Sequence, residues 1–520
     1  MKRRDFLKLT TAIVALTGCD KKVFSSEINR FGDASIFSTD ITINTSQPGF
    51  ATNPLLCGSN VQWVDGGDGL IQHTGTSFIT PVLEKVKQLA PTVIRYPGGS
   101  QSDVYHWRAG VGSEAARTGN EHFHRKDVQI VRFGTAEFLA LCESVGAAPL
   151  ITVNICTGTA KEAADWVRET NITRLTSPLT GRLLPKVKTW EIGNEPYLKE
   201  DVRPETWMKP EEYARRANEF IRAMRSVDPT IRVGIPLRSD TYNGIPVTPY
   251  QGFNETVLPL LSEPFEYVSL HNAYMPFLYG NTPSNNEIYA ALMGASETVR
   301  LDLEATRKQL RRLVKNRTVL MAITEYNALV TFGKQQDSYL ASPAGALYVA
   351  DLLRLFATQP DILMANHWSL IGNWFFGALN SSGVPRPVFD VLRMYRETLH
   401  GNYLSSNCKT KEFTTPMAGL IREARNIPVV TVTSTIESGK LRLLILNKDP
   451  QASTQTTIKL GAHKFGGDIS ISSLTAPDPF SSPDNANAFI RKNSQVVGKT
   501  ASVTVVLPPC SLTFLESQLT

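Results

Sequence analysis

Between about residue 54 and residue 400, short β-prone runs alternate with helical runs, and few folds tolerate so regular an alternation. Such a pattern gives either a closed (β/α)8 barrel or an open, doubly wound sheet. Eight units with acidic residues after the fourth and seventh runs favour closure, so we predict a TIM barrel over residues 51–400. The strand-like runs begin at Pro54, Thr92, Ala148, Val187, Ile231, Glu266, Thr318 and Asp361.

The sequence pattern predicts a helix most clearly over residues 210–228. It opens with a proline in its first turn, carries one apolar stripe at helical spacing, and stops at Asp228-Pro229. The stripe consists of Tyr213, Ala217, Phe220, Ile221 and Met224.

After about residue 400 the pattern changes to short β-rich runs separated by turn residues, with no long helix. This predicts a β-sandwich over residues 401–520. Residues 34–45 also alternate between apolar and polar, ahead of the barrel. We therefore predict that residues 34–50 supply a strand that joins the C-terminal sandwich.

The N-terminus has the pattern of an export signal rather than of folded structure. Residues 3–8 (RRDFLK) resemble a twin-arginine signal, and the apolar run after them is too short to span a bilayer. Residues 16–19 (LTGC) resemble a lipobox, which would make Cys19 a lipidated first mature residue. We predict an export signal over 1–18, a lipid anchor and tether over 19–33, and a periplasmic or cell-surface lipoprotein; an ordinary signal peptide with a chance cysteine is the alternative.

Charge and cysteine content argue against nucleic-acid binding, a complete set of disulfides and a zinc site. The net charge of +6 includes four basic residues and one acidic residue within residues 1–18, so +3 remains, which gives no reason to expect nucleic acid. Five cysteines follow Cys19, an odd number, and of these Cys408 and Cys510 could pair. No Cys/His spacing suggests zinc, and we expect neither a metal nor a cofactor.

Two glutamates follow strand-like runs at the positions where α/β barrels keep their chemistry. Glu195 lies just after residues 187–192, and Glu325 directly follows residues 318–324. Two carboxylates at the ends of two strands suggest an acid/base and nucleophile pair for cleaving glycosidic bonds. Two solvated loop glutamates are the alternative.

Several motifs together resemble glycoside hydrolase family 51, the α-L-arabinofuranosidases of clan A. The likeness covers roughly residues 34–516, and its motifs occur in the family's order. They are residues 93–99 (VIRYPGG), 105–107 (YHW), 153–159 (VNICTGT), 190–196 (WEIGNEP), 271–274 (HNAY) and the segment around Glu325.

The resemblance implies a retaining mechanism acting on a carbohydrate substrate. Glu195 would be the acid/base, Glu325 the nucleophile, and Asn194 a ligand of a ring hydroxyl, with Asn154 also in the substrate-binding set. Glu191, deeper on the same strand, would be structural.

Neighbouring side chains can be given roles by charge and position. An arginine beside a carboxylate favours its charged form, so Arg95 is expected to keep Glu325 ionised. His271 and Tyr274 could orient Glu325 by hydrogen bonds; a histidine that is satisfied within the core is the alternative for His271. Aromatic residues near strand ends could stack on sugar rings, although only one or two are expected to do so. The candidates are Trp107, Trp368 and Trp374, with Phe375 and Phe376 beside them.

Three positions depart from the family pattern, all of them sugar-binding in the family. Gln62 replaces a glutamate, Ser100 an asparagine, and Ser369 a glutamine. A site that hydrogen-bonds particular hydroxyls discriminates strongly, so these changes leave the identity of the sugar open while the two carboxylates are retained. An arabinofuranosidase-like enzyme is the leading hypothesis. The alternatives are another clan A specificity (endo-glycanase, xylosidase or glucuronidase) and a non-catalytic carbohydrate-binding lipoprotein.

Overall fold

The computed structural model describes residues 36–239, 252–276, 284–315, 317–329, 339, 341–372, 375–481 and 488–520. The predicted export signal, the tether, Cys19 and Trp374 lie outside these residues. The strands are β1 (Phe37–Ile43), β2 (Gly58–Asn60), β3 (Val93–Tyr96), β4 (Gly119–Glu121), β5 (Val128–Ile130), β6 (Ala148–Val153), β7 (Thr189–Ile192), β8 (Arg232–Pro236), β9 (Tyr267–Leu270), β10 (Ala273–Pro276), β11 (Leu320–Leu329), β12 (Ile362–His367), β13 (Asn402–Tyr403), β14 (Ser406–Lys409), β15 (Glu412–Thr415), β16 (Ala424–Pro428), β17 (Val430–Glu437), β18 (Lys440–Asn447), β19 (Thr454–Leu460), β20 (Phe465–Thr475), β21 (Ile490–Val496), β22 (Ser502–Leu507) and β23 (Ser511–Leu519). The helices are α1 (Thr80–Leu89), α2 (Thr135–Val145), α3 (Ala160–Arg168), α4 (Pro210–Val227), α5 (Phe253–Leu260), α6 (Asn285–Leu313), α7 (Pro343–Ala357) and α8 (Pro387–Thr398).

Eight parallel strands close into a barrel. The hydrogen-bonded order runs β11, β12, β2, β3, β6, β7, β8, β9, and β9 then pairs with β11 to complete the ring. One helix follows each barrel strand along the chain, α1 after β2 and α8 after β12. The predicted (β/α)8 barrel is confirmed, and the open-sheet alternative is wrong.

Helix α4 shows how the sequence pattern produces this architecture. It begins at Pro210, where the missing backbone N–H costs nothing, and ends at Val227 before Asp228-Pro229. The whole predicted apolar stripe is buried. An apolar stripe on one face of a helix is what packs against a neighbouring layer.

The C-terminal region forms two large sheets, one of order β14-β1-β19-β22 and one of order β13-β17-β18-β23-β20-β21, and a two-stranded sheet of β15 and β16. Strand β22 alternates exposed and buried residues along its length, as expected for a strand with one face in a core. The early strand β1 lies between β14 and β19, antiparallel to the first and parallel to the second. The chain therefore contributes to this unit before it enters the barrel.

Cysteines 57, 142, 156, 408 and 510 are all free thiols. The Sγ of Cys408 donates to the carbonyl of Val430, and the Sγ of Cys510 lies 3.3 Å from the hydroxyl of Tyr289. The pairing of Cys408 with Cys510, which the sequence left open, does not occur. Within the described ranges, no helix has both the length and the apolar character needed to cross a bilayer.

Candidate active site

The two predicted carboxylates come from strands on different sides of the barrel. Glu195 lies three residues beyond the end of β7. Glu325 lies within β11, which continues to Leu329 rather than stopping at Thr324 as the sequence suggested. The pairing of β11 with β12 shifts register between Ile323 and Tyr326, so β11 carries one extra residue, as in a bulge, over Thr324 and Glu325. A bulge re-aims a side chain without ending the strand.

Arg95 connects the residues beneath the site. It is fully buried on β3. Its Nη1 donates to Glu325 Oε1 at 2.6 Å, its Nε to Glu191 Oε2 at 2.7 Å, and its Nη2 to Asn194 Oδ1 at 2.8 Å. Burial alone would lower the pKa of Arg95, but Glu191 and Glu325 more than offset this and raise it. The guanidinium is therefore a permanent positive charge in contact with Glu325, as expected.

Glu191 is a buried counter-ion. It accepts hydrogen bonds from Arg95, from the Thr152 hydroxyl at 2.7 Å and from the Thr324 hydroxyl at 2.9 Å. Burial raises the pKa of Glu191, but the charges of Arg95 and His271 and these hydrogen bonds outweigh it and the net shift is downward. A carboxylate so fully occupied has no free face for substrate.

Tyr274 contacts Glu325 as the sequence suggested. Its hydroxyl donates to Glu325 Oε2 at 2.9 Å, so that the two oxygens of Glu325 are held separately by Tyr274 and Arg95. Two donors on opposite oxygens hold the carboxylate of Glu325 in one orientation.

His271 contacts a different carboxylate from the one expected. Its Nδ1 lies 2.9 Å from Glu195 Oε1, whereas its Nε2 is 3.9 Å from Glu325 Oε1, too far for a hydrogen bond. The prediction that His271 orients Glu325 is therefore wrong in its partner, because the imidazole edge on that side is taken by Thr324 at 3.0 Å. Burial lowers the pKa of His271, but Glu325 and Glu195 outweigh it and raise the pKa above its ordinary value.

Asn194 presents an unused donor. Its Oδ1 is held by Arg95, while its Nδ2 is buried and has no protein partner among the described residues. A buried amide nitrogen without a partner carries a desolvation cost, which a ligand oxygen would remove. Asn154 differs: its Nδ2 donates to Thr157 and its Oδ1 accepts from the Thr157 backbone, so its amide is occupied by its own loop.

The two described tryptophan candidates have different surroundings. Trp107 is 2% exposed, stacks on Trp166 at 5.9 Å between ring centroids, and donates from Nε1 to the Glu162 carbonyl. It is packed in the interior, so the prediction of a sugar platform is wrong for Trp107. Trp368 is half-buried beyond β12 and lies over Gly99, where an added Cβ would be 2.5 Å from its ring.

The positions that depart from the family pattern lie around these strand ends. The Gln62 backbone N–H donates to Asp68 at 2.9 Å, and its Cγ would be 3.1 Å from a Cβ added at Gly98. Ser369 is buried and donates its hydroxyl to the carbonyl of Ile371 within its own loop. Ser100 is half-buried next to Gly99.

Sequence reasoning missed two buried acids beside Glu195. Burial raises the pKa of Asp103 and of Glu200 to about 8 each, and the charge of Glu195 adds to both shifts. Glu200 Oε2 is buried without a partner in the described part of the chain. Neither residue follows a strand-like run, so no local signal marked them. No group of three or more His, Cys, Asp or Glu among the described residues is arranged to hold a metal ion.

Fold and site together define a (β/α)8-barrel protein with paired carboxylates at the carboxyl ends of its strands, each held by its own donors. Residues 85–243 match the family model of the alpha-L-arabinofuranosidase 1 domain.

Relatives and solved structures extend this likeness along the chain. Alpha-L-arabinofuranosidase C of Emericella nidulans is 38% identical over 32% of this chain and 34% of its own length. The chain thus spans about a third of that fungal relative. The intracellular exo-alpha-L-arabinofuranosidase of Bacteroides ovatus is 25% identical over 85% of this chain and 86% of its own. The alpha-L-arabinofuranosidase from Thermotoga maritima, solved as an arabinose complex, superposes with a TM-score of 0.78 at 21% identity, covering 92% of this chain and 100% of that one.

Proposed function

We propose that the protein is a retaining glycoside hydrolase of the α-L-arabinofuranosidase type. One observation carries the proposal: two carboxylates from different strands face the same imidazole, Glu195 at 2.9 Å and Glu325 at 3.9 Å. Carboxylates this near to a common side chain can act on the two sides of one bond. The match to the alpha-L-arabinofuranosidase 1 domain supports the choice of sugar.

In the first step Glu325 attacks the anomeric carbon while Glu195 gives a proton to the departing oxygen, leaving a glycosyl-enzyme. In the second step Glu195 takes a proton from water, which attacks the same carbon and releases Glu325. The unpartnered Nδ2 of Asn194 is suited to donate to a ring hydroxyl beside the reacting carbon. Glu325 is poised for attack because Tyr274 and Arg95 hold its two oxygens.

A panel of aryl glycosides tests this proposal: α-L-arabinofuranoside, β-D-xyloside, β-D-glucoside, β-D-galactoside and β-D-glucuronide. We expect hydrolysis of the arabinofuranoside with retention of anomeric configuration by proton NMR, abolished by Glu325→Gln. Inversion of configuration would contradict the double-displacement mechanism. Inactivity on the whole panel and on polysaccharides would favour the non-catalytic binding protein.

A second specificity on the same machinery is supported by the altered positions. Ser369 turns its hydroxyl to its own loop, and Gln62 carries no charge where the family has a glutamate. Such changes alter which hydroxyls a site can satisfy. Turnover of a panel member other than the arabinofuranoside would select this alternative.

We also propose that the protein is an exported lipoprotein with its lipid on Cys19, on the pattern of residues 3–19. Cys19→Ser should release the protein from the membrane fraction and prevent incorporation of labelled palmitate. Replacing Arg3-Arg4 by Lys-Lys should block export. Membrane association that survives Cys19→Ser would contradict the lipid anchor.

A further inference from the structure

We propose that Thr324 is a positioning residue that keeps a proton on Nε2 of His271, so that Nδ1 is the nitrogen working with Glu195. The inference concerns the proposed acid/base residue and so rests on the proposed function.

The hydroxyl of Thr324 lies between two polar atoms. It is 2.9 Å from Glu191 Oε1 and 3.0 Å from His271 Nε2, and the residue is fully buried. A hydroxyl has one hydrogen to donate and lone pairs to accept with. The direction of each of its two hydrogen bonds is therefore linked to the other.

The charge state of Glu191 determines the direction of both hydrogen bonds of the Thr324 hydroxyl. Its lowered pKa and its ion pair with Arg95 at 2.6 Å keep it a carboxylate, which can only accept. The Thr324 hydrogen therefore points to Glu191, and its oxygen must accept from His271. The hydrogen-bond partner of one imidazole nitrogen decides the state of the other, so Nε2 carries a hydrogen in every protonation state in which this contact persists.

Nδ1 is then the titrating nitrogen of His271, and it lies 2.9 Å from Glu195 Oε1. The charged groups around the ring are Glu195, Glu325, Glu191 and Arg95. When Glu195 transfers its proton to the departing oxygen, it becomes a carboxylate with a new negative charge. In the imidazolium form of His271, the Nδ1–H donates to that carboxylate and stabilises it, and no hydrogen leaves His271 in the step.

Thr324→Val removes the hydroxyl and keeps the β-branched shape, while Thr324→Ser keeps the hydroxyl. For aryl glycosides with a poor leaving group, which need protonation, we expect Thr324→Val to lower kcat/KM by about a hundredfold. For a dinitrophenyl glycoside, which departs unaided, the loss should be under about threefold. Thr324→Ser should restore both values, and the pH profile of Thr324→Val should shift while that of Thr324→Ser should not.

A second measurement needs no substrate. The ¹⁵N chemical shifts of His271, assigned by comparison with His271→Asn, report which ring nitrogen is protonated. Wild type and Thr324→Ser should show a protonated Nε2 across the titration, and Thr324→Val should not. An unprotonated Nε2 in the wild-type protein would overturn the inference, as would equal losses on both leaving groups. If no glycoside is turned over, the proposed function fails while the NMR result still decides this inference.

Discussion

At the scale of single residues, Arg95 holds four other side chains in place, because its one guanidinium group donates hydrogen bonds to all four. Besides Glu325, Glu191 and Asn194, it donates to Asn60 Oδ1 at 3.2 Å. A lysine at this position could not make these four contacts, because its ammonium group is a compact point charge, whereas the guanidinium is a planar fork of several donors. The arrangement is a rigid base for Glu325, the proposed nucleophile, and the same guanidinium also pairs with the carboxylate of Glu191.

Arg95→Met should therefore cost both stability and activity. Removing one partner of a buried ion pair costs about 3–5 kcal/mol of unfolding free energy, because the remaining charge is left unpaired. We expect urea unfolding to show that loss, and kcat to fall by more than a hundredfold at temperatures where the variant stays folded.

Arg117→Met is the matched control. Arg117 forms a buried ion pair with Glu137 at 2.7 Å in the same barrel, but it contacts neither Glu195 nor Glu325. It should lose comparable stability and keep its kcat. Equal kcat losses in the two variants would mean that Arg95 acts only through folding.

Tyr274→Phe tests the second donor on Glu325. A hydrogen bond to a charged group contributes about 1.5–3 kcal/mol. If most of this acts on the reacting carboxylate, kcat should fall by about tenfold to a hundredfold, with little change in Tm because Tyr274 is half-buried. Tyr348→Phe is the control, since that hydroxyl donates to the Ala273 carbonyl. An unchanged kcat in Tyr274→Phe would remove the hydroxyl from the mechanism.

At the scale of elements, two tryptophans in the segments that follow barrel strands differ in exposure, since one is buried and the other is half-buried. Trp107 is buried and stacks on Trp166 of α3. Trp368 follows β12 and stays half-exposed above Gly99, whose φ of 52° and missing side chain leave room for the ring. Of these two, only Trp368 keeps part of its ring exposed, and it is therefore the one proposed to stack on a sugar.

Alanine substitutions should separate the two roles. Trp107→Ala removes a buried aromatic side chain and should lower the unfolding free energy by about 3–5 kcal/mol, with KM unchanged in the folded protein. Trp368→Ala should raise KM by about tenfold and lower Tm much less, because a stacking surface is lost rather than a core. The measurements are thermal melts and saturation kinetics on the same preparations. A reversed pattern would contradict both assignments.

The elements also show what the sequence could reveal. The alternation of β and α runs, and the apolar stripe of α4, are local patterns and predicted the barrel. That Glu195 and Glu325 would lie near one another followed because parallel strands place their carboxyl ends on one face.

The partner of His271 and the burial of Trp107 depended on information that no local pattern contains. The register of β11 against β12 shifts between Ile323 and Tyr326, and within this stretch Thr324, not Glu325, is the residue that contacts His271 Nε2. In the sequence Trp107 has the position of an aromatic residue near a strand end, and only the folded structure shows that Trp166 of α3 stacks on it. Both are consequences of tertiary packing, and so is the position of Asp103 and Glu200 beside Glu195.

At the scale of the whole molecule, barrel and sandwich are joined by a buried ionic contact. Asp351 on α7 accepts from Lys448, which follows β18, at 2.7 Å, and both side chains are 1% exposed. Arg354 and Ser296 from the barrel side also donate to Asp351. This network fixes the sandwich against the outside of the barrel, on helices α6 and α7.

Asp351→Asn should weaken that junction. It leaves Lys448 buried beside an uncharged partner, at a cost of about 3–5 kcal/mol in unfolding free energy. Asp361→Asn is the control, because its ion pair with Arg307 is within the barrel and more exposed, and should cost under about 1 kcal/mol. Urea unfolding at neutral pH measures both.

The same variant has a pH signature. Burial alone would raise the pKa of Asp351. The charges of Arg354 and Lys448 and their hydrogen bonds outweigh burial and hold this pKa well below its ordinary range. A carboxyl whose folded pKa is depressed contributes stability above its unfolded pKa of about 3.9 and loses it as pH falls toward the folded value. The stability gap between wild type and Asp351→Asn should therefore be constant from pH 7 to about pH 5 and should shrink below about pH 4. A gap that stays constant down to pH 3 would mean that the charge of Asp351 contributes nothing, and that packing alone holds the sandwich on the barrel.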